Sequence, residues 1–197
     1  REGEAITLFN GTGGEVPATL SRIDKRTVEI ATGEHVSVER ESAMRITLYA
    51  ALIANDRMDW MIQKATELGV AAIAPLYSER SQRIPGDVNK RAEHWRGVVI
   101  AACEQCGRNH LPTVQAPIAL SDAMAATSGA NNVLLDADGG LHASAANTSV
   151  NVFVGPEGGY SPNELTLLRV HCGTKLRIGQ TVLRAETAAI AAVAALI

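Results

Sequence analysis

The chain has no apolar run long enough to cross a membrane. The longest, Ala188–Ile197, is about half of the roughly 20 residues such a span needs. It has no leader pattern and no starting Met, which predicts that the native beginning lies upstream of Arg1. Its 3 cysteines, Cys103, Cys106 and Cys172, make no even disulfide framework and point to reduced thiols in a cytoplasmic protein. Nor is there an excess of positive charge. With 18 Lys and Arg against 21 Asp and Glu the net charge is −3, so bulk charge does not announce a nucleic-acid partner. Internal repeats and low-complexity segments are absent, although the C-terminal tail is biased toward alanine. What remains is an ordinary globular balance, 46% hydrophobic and 20% charged over 197 residues, enough for one domain and a smaller one.

Several chemistries lack their residues. Gly11-Thr12-Gly13-Gly14 fails the dinucleotide fingerprint because Val16 stands where a third glycine belongs, and it reads as a turn. There is no GxSxG elbow and no phosphate cradle with its Lys and following Ser or Thr. Cys103 and Cys106 form a CxxC on a helix, without a partner pair or histidines at zinc spacing, so no metal site is expected. The histidines (His35, His94, His110, His142, His171) are scattered and make no metal or nucleophile cluster.

The patterns that are present change near Met44. Before it, "EAITLFN", "EVPATLSRI", "TVEIAT" and "HVSVER" are short alternating runs between turn residues, a β meander or small barrel. The expected inward sets are Ile6 and Leu8, Val28 and Ile30, Val36 and Val38, too small for a core of their own. After it, buried strands ("RITLYAALI", "VAAIAPLYS", "NNVLLDAD", "SVNVFVGP", "KLRIG") alternate with helical stretches. Met58, Met61, Ile62, Ala65 and Leu68 recur at helical spacing before Gly69, and a long helix is expected from Asp87 to Cys106. Continuous apolar strands in such an order predict an α/β fold with a mostly parallel sheet.

Two stretches carry the functional signal. In "NVFVGPEGGYSPNEL" a buried strand runs into Gly155-Pro156-Glu157-Gly158-Gly159, and a helix follows at once. Ser161 is its expected N-cap, Pro162 its first residue, Glu164 completes a capping box, and Tyr160 with Leu165 makes a hydrophobic staple. A glycine-lined loop clamped at the carboxyl end of a strand is where α/β sheets bind ligands; a tight strand-to-helix turn is the plainer alternative. In "KLRIGQTVLRAETAAIAAVAAL" a short strand, a loop and an Ala-rich helix follow each other. That helix is apolar nearly all round and must be covered, by the sheet or by a subunit interface. Arg184 and Glu186 at its mouth must pair with one another or meet a ligand. Local basic patches, Arg80 to Arg108 and Arg169 to Arg184, suit a polyanion bound at one place or a solvated helix face.

"VGPEGGYSPNEL" followed by "RIGQTVLRAETAAIAAVAAL", together with "MDWMIQKATELGV", "SERS" and "EQCGRNHLP" in the same order, resembles the SPOUT superfamily of RNA methyltransferases. Within it the resemblance is to the ribosomal RNA small-subunit methyltransferase E family, from about Arg1 to the end. It implies an α/β fold with a SPOUT-type mostly parallel sheet and a C-terminal trefoil knot, unexpected on general grounds. It also implies a small, incomplete PUA-like β-barrel in front: residues 1–43 an RNA-binding domain lacking its N-terminal part, 44–197 the methyltransferase domain. The implied activity is methylation of N3 of a uridine in small-subunit ribosomal RNA by S-adenosylmethionine, without metal, in a cytoplasmic homodimer acting on the RNA or the assembled small subunit, with no membrane partner. Other SPOUT enzymes acting on a ribose hydroxyl or another base, and a silent RNA-binding module, are the alternatives. By resemblance the cofactor walls are Leu134 and Leu135; Val154, Gly155, Pro156, Glu157 and Gly158; and Leu176, Ile178, Gly179, Val182, Leu183 and Thr187. Arg184 and Glu157 are the expected catalytic residues, and Arg80, Arg83, Glu104 and Arg108 the expected RNA contacts. Thr181 departs from the family, which often has a basic residue there.

Overall fold

In the computed structural model, which describes residues 1–83, 87–140 and 148–197, two sheets form. The first is antiparallel and three-stranded: β1 (Ala5–Leu8), β2 (Val16–Ile23) and β3 (Val28–Thr32), in that order. Its turns use Gly11, Gly13 and Gly14, each at positive φ. The fourth expected strand, "HVSVER", does not form; only Val36 bridges to Glu15. The chain is instead drawn toward the larger sheet. Arg40 reaches Glu15 at 2.7 Å and the Gly107 carbonyl at 3.3 Å, and Asn109 donates to the Val38 carbonyl at 2.7 Å. Of the expected inward sets, Ile6, Leu8 and Val38 are half-buried, while the others are corrected. Val28, Ile30 and Val36 are 54%, 41% and 44% exposed, and Ala18 is the apolar residue of this sheet that is buried. Nothing among the described residues covers the face of an edge strand such as β3.

The second sheet holds β4 (Arg45–Ala51), β5 (Ala72–Tyr77), β6 (Thr113–Val114), β7 (Ile118–Ala119), β8 (Asn132–Gly140), β9 (Ser149–Val154) and β10 (Thr174–Leu176). The order is β10-β8-β9-β4-β5-β6, with β7 also on β5, and every pairing is parallel. The helices are α1 (Asn55–Glu67), α2 (Val88–Cys106), α3 (Leu120–Ala126), α4 (Pro162–His171) and α5 (Ala185–Leu196). β6, β7 and α3 were not legible as elements: two-residue strands and a one-to-two-turn helix leave no periodicity to read.

The period of two along a strand sends alternate residues to opposite faces. On β4, Ile46, Leu48 and Ala50 join one core with Met58 and Ile62 of α1, Trp95 of α2 and Val193 of α5. Tyr49 joins the other, with Phe153 of β9, Leu134 of β8 and Leu168 of α4. Tyr49 and Phe153 are register partners and stack at 4.8 Å with planes 9° apart. β8 and β10 meet so closely that a Cβ on Gly139 would lie 2.7 Å from the Lys175 carbonyl carbon, so no other residue fits without moving backbone.

Candidate active site

The carboxyl ends of β8, β9 and β10 surround a cavity of about 390 Å3. β8 gives it Leu135, Asp136 and Ala137; the loop after β9 gives Gly155, Pro156, Gly159 and Tyr160. The segment from Leu176 to Leu183 forms the third wall, and Ala185 and Ala188 of α5 the floor.

The β9 loop is fixed from several sides. Gly159, at φ 66°, donates its N–H to the Pro156 carbonyl at 2.9 Å. Ser161 caps α4, its hydroxyl accepting from Glu164 N–H at 3.3 Å, while the Glu164 carboxylate accepts from Ser161 N–H at 2.9 Å. The other Glu164 oxygen accepts from Glu79 N–H at 2.8 Å, which ties the "SERS" turn to the loop. Tyr160 is buried in the same cluster as Leu165, as the staple predicts. Burial raises the Tyr160 phenol well above its ordinary range.

Glu157 does not line the cavity. It turns to the start of α1, where Ala54 holds the N-cap without a side-chain acceptor, and accepts from Ala54 N–H at 3.2 Å. Arg57 lies 3.6 Å from the same oxygen and 3.9 Å from Glu186, whose side chain is 7% exposed and whose second oxygen is buried without a partner. The alternative in which Arg184 pairs with Glu186 is therefore not realised, and Arg57 takes that place. Arg184 is exposed at the N-cap of α5 and, among the described residues, makes no ion pair.

Of the expected cofactor residues, the cavity brings together Leu135, Val154, Gly155, Pro156, Leu176 and Ile178, with Val182 and Leu183 at its open side. Leu134 faces the second core instead, because alternation turns it away from its lining neighbour Leu135. Gly158 lies under Arg80, where an added Cβ would meet the Arg80 stem at 3.8 Å, ordinary contact. Gly179 and Thr187 also fall outside the lining. Among the expected RNA contacts, Arg80, Arg83 and Glu104 are exposed. Arg108 is not: 6% exposed, it pairs with Glu41 and donates to the Thr66 carbonyl at 2.7 Å and the Val70 carbonyl at 3.1 Å. Its donors are spent on the fold, which corrects its place in an RNA surface.

Sequence reading missed Asp136 and Arg57, and it placed Arg177 in a basic patch without a role of its own. Asp136 had a signal, an acid interrupting the apolar run "VLLDAD". Its carboxylate accepts from Arg169 at 2.7 and 3.0 Å; that bond holds its pKa below the ordinary carboxylate value, against the opposing effect of burial. Arg177 lines the cavity with its Nε buried and, among the described residues, without a partner. Cys103 and Cys172 are free, and burial pushes their thiols up to about 11 and about 12. Among the described residues no group of three or more His, Cys, Asp or Glu has a metal-holding arrangement. His94 pairs with Asp59 and His110 with Glu39, at 2.7 and 3.0 Å; His142 lies outside the described residues.

The chain matches the RNA methyltransferase domain family over residues 40–197. It is 31% identical to a ribosomal RNA small subunit methyltransferase E of Rickettsia conorii, over 97% of this chain and 79% of that one. A methyltransferase of Legionella pneumophila solved with its cofactor SAM superposes with a TM-score of 0.91 at 37% identity, covering 100% of this chain and 83% of that one. A ribosomal RNA small subunit methyltransferase E of Neisseria gonorrhoeae bound to S-adenosyl methionine gives 0.90 at 33%, with the same coverage. At 16% identity and TM-score 0.51, covering 84% of this chain and 66% of that one, a SpoU methyltransferase of Streptomyces viridochromogenes shares the fold alone. Matched in its sequence and in its overall fold, this chain belongs to the ribosomal RNA small subunit methyltransferase E family.

Proposed function

We propose that this chain methylates N3 of a uridine in small-subunit ribosomal RNA, with S-adenosylmethionine as donor. The observation that carries the reading is the cavity walled by β8, the loop after β9 and the segment after β10. Its residues fit such a donor. Apolar walls from Leu135, Val154 and Ile178 suit an adenine ring, the bare backbone at Gly155 and Gly159 allows close approach, and the orphaned Arg177 Nε offers a donor to a carboxylate. The sulfonium, when bound, supplies an activated methyl group and asks for no metal.

Uridine N3 carries a proton at neutral pH, so methylation requires its removal and leaves negative charge on the uracil oxygens. Arg184, exposed beside the cavity and not used by the fold, supplies the cation that stabilises this charge. Glu157 acts through the loop: its carboxylate holds Gly155 to Gly159 against the start of α1. Excluding water and aligning donor with acceptor is the remaining contribution of the walls.

The finer architecture belongs to the same reading. The close passage of β10 over Gly139 supports a chain crossing of the trefoil-knot kind. Residues 1–43, with their own small sheet, form a PUA-like RNA-binding domain, and 44–197 the methyltransferase domain. α5 buries Ala189, Ala192, Val193 and Leu196 within its own chain; Trp60 and Ile197, 46% and 52% exposed, support a homodimer contact. Arg83 and Glu104, both exposed, face the RNA, free or in the assembled subunit. Among the described residues no helix is long and apolar enough to cross a membrane; the RNA substrate and free thiols support a cytoplasmic setting. Incubating the protein with S-adenosylmethionine and unmodified small subunits, then analysing nucleosides by mass spectrometry, tests the reading. It expects 3-methyluridine. A 2′-O-methylated nucleoside or another methylated base would identify a different SPOUT activity, and RNA binding without transfer a silent module.

A further inference from the structure

We propose that Arg80 is a positioning residue for the β9 loop, holding from outside the cavity the two peptide planes that shape its wall. The inference rests on reading the cavity as the S-adenosylmethionine site. Arg80 Nη1 donates to the carbonyl of Gly158 at 3.1 Å and to that of Tyr160 at 3.5 Å. These carbonyls belong to the planes 158–159 and 160–161. The other end of each plane is also held: Gly159 N–H by the Pro156 carbonyl at 2.9 Å, and Ser161 N–H by the Glu164 carboxylate at 2.9 Å. Gly159 and Tyr160, the residues between the fixed planes, both line the cavity.

The loop needs such a hold. Two successive glycines leave the 158–159 plane free to rotate at little steric cost, and rotation would exchange its N–H and C=O. A guanidinium that bridges two carbonyls opposes this, because rotation gives up a charge-assisted bond. Arg80 is itself well seated. Its turn is closed by Ser81, whose hydroxyl accepts from Ser78 N–H at 3.0 Å and donates to the Ser78 carbonyl at 2.9 Å, and by Glu79 N–H on Glu164 at 2.8 Å. Arg80 Nε and Nη2 make no hydrogen bond among the described residues, so a phosphate contact is the rival role of the same side chain.

The test compares wild type, Arg80→Ala and Arg80→Lys in three measurements. The first is hydrogen exchange of the Gly159 and Ser161 amides in the ligand-free protein. The second is KM and kcat for S-adenosylmethionine; the third is RNA affinity against salt. Arg80→Ala should speed exchange at both amides and raise KM for S-adenosylmethionine about tenfold, the scale of one charge-assisted hydrogen bond, with kcat at saturation nearly unchanged. Arg80→Lys, which keeps a cationic donor, should recover most of both. Unchanged exchange and KM, with weaker RNA binding and a salt slope lower by about one, would overturn the proposal in favour of a phosphate contact. If calorimetry shows that the wild type does not bind S-adenosylmethionine, the cavity assignment fails. The exchange rates still decide the clamp: faster in Arg80→Ala supports it, unchanged removes it.

Discussion

Gly155 to Ser161 and Arg177 to Arg184 face one cavity, yet they are held in opposite ways. The first segment is tied by Arg80, Glu157, Glu164 and its own Gly159 turn to three other elements. The second is tied at its start by Arg177 N–H on the Gly140 carbonyl at 2.7 Å, packs Ile178 against the core, and is exposed from Gly179 to Val182, with Val182 at 94%. A wall fixed before the ligand arrives loses little entropy on binding. That wall carries Arg177, whose Nε has no partner among the described residues, and the exposed Arg184, two groups to which the proposed function gives ligand partners. In the proposed function one wall is preorganised for the donor, and the other is left to respond to donor and RNA.

The largest effect should come from the exposed wall. Arg184→Ala removes the cation assigned to the uracil oxygens, so the single-turnover methylation rate should fall about 10²–10³-fold. Because Arg184 makes no ion pair among the described residues, Tm should stay within about 2 °C. Rate and Tm measured on one preparation check this. A destabilised variant that methylates at full speed would mean that Arg184 belongs to the fold, and the contrast between the walls would be lost.

A second prediction addresses the β8–β10 junction from which the Arg177 to Arg184 wall starts. Gly139→Ala puts a Cβ 2.7 Å from the Lys175 carbonyl carbon, against backbone rather than a movable side chain. It should cost about 2–3 kcal/mol or more, read as a Tm lower by roughly 4–12 °C. Wild-type Tm in that variant would show that β8 and β10 can separate without loss, and their junction would then not anchor the Arg177 to Arg184 wall.

The fixed wall was also the legible one. Ser161, Pro162 and Glu164 act on their near neighbours, so their roles appear in a window of a few residues, and capping box and proline are found as expected. The alternating faces of β4 and β9 were legible for the same reason. Arg80, Arg57 and Arg108 were not, because their partners lie far along the chain: Arg80 on Gly158, Arg57 on Glu157 and Glu186, Arg108 on Glu41 and Thr66. A basic residue in a sequence looks the same whether it meets phosphate or a carbonyl of its own fold. Val28 and Ile30 misled differently. Their alternation promises a buried face, but burial needs a covering layer that alternation cannot supply.

The smallest predicted effect extends the fixed side to β8. Asp136 lines the cavity, yet its carboxylate is bound by Arg169 of α4, the helix that continues the fixed loop, at 2.7 and 3.0 Å, and accepts from Asp138 N–H at 3.0 Å. The Arg169 bond, with the Asp138 N–H, lowers the Asp136 pKa from its ordinary value of 3.8 although burial opposes it. A carboxyl group with a folded pKa below its unfolded one contributes its stability in full above the unfolded value. That contribution is lost as pH falls through the folded value, since the unfolded chain takes up the proton first. Urea unfolding from about pH 3 to pH 7 should therefore show the wild type losing stability below about pH 4 more steeply than Asp136→Asn, with a constant gap between them above about pH 5. Parallel curves throughout would mean that the pair carries no proton-linked stability. In that case Asp136 would be held as loosely as the Arg177 to Arg184 wall, and the fixed side of the cavity would end at the β9 loop.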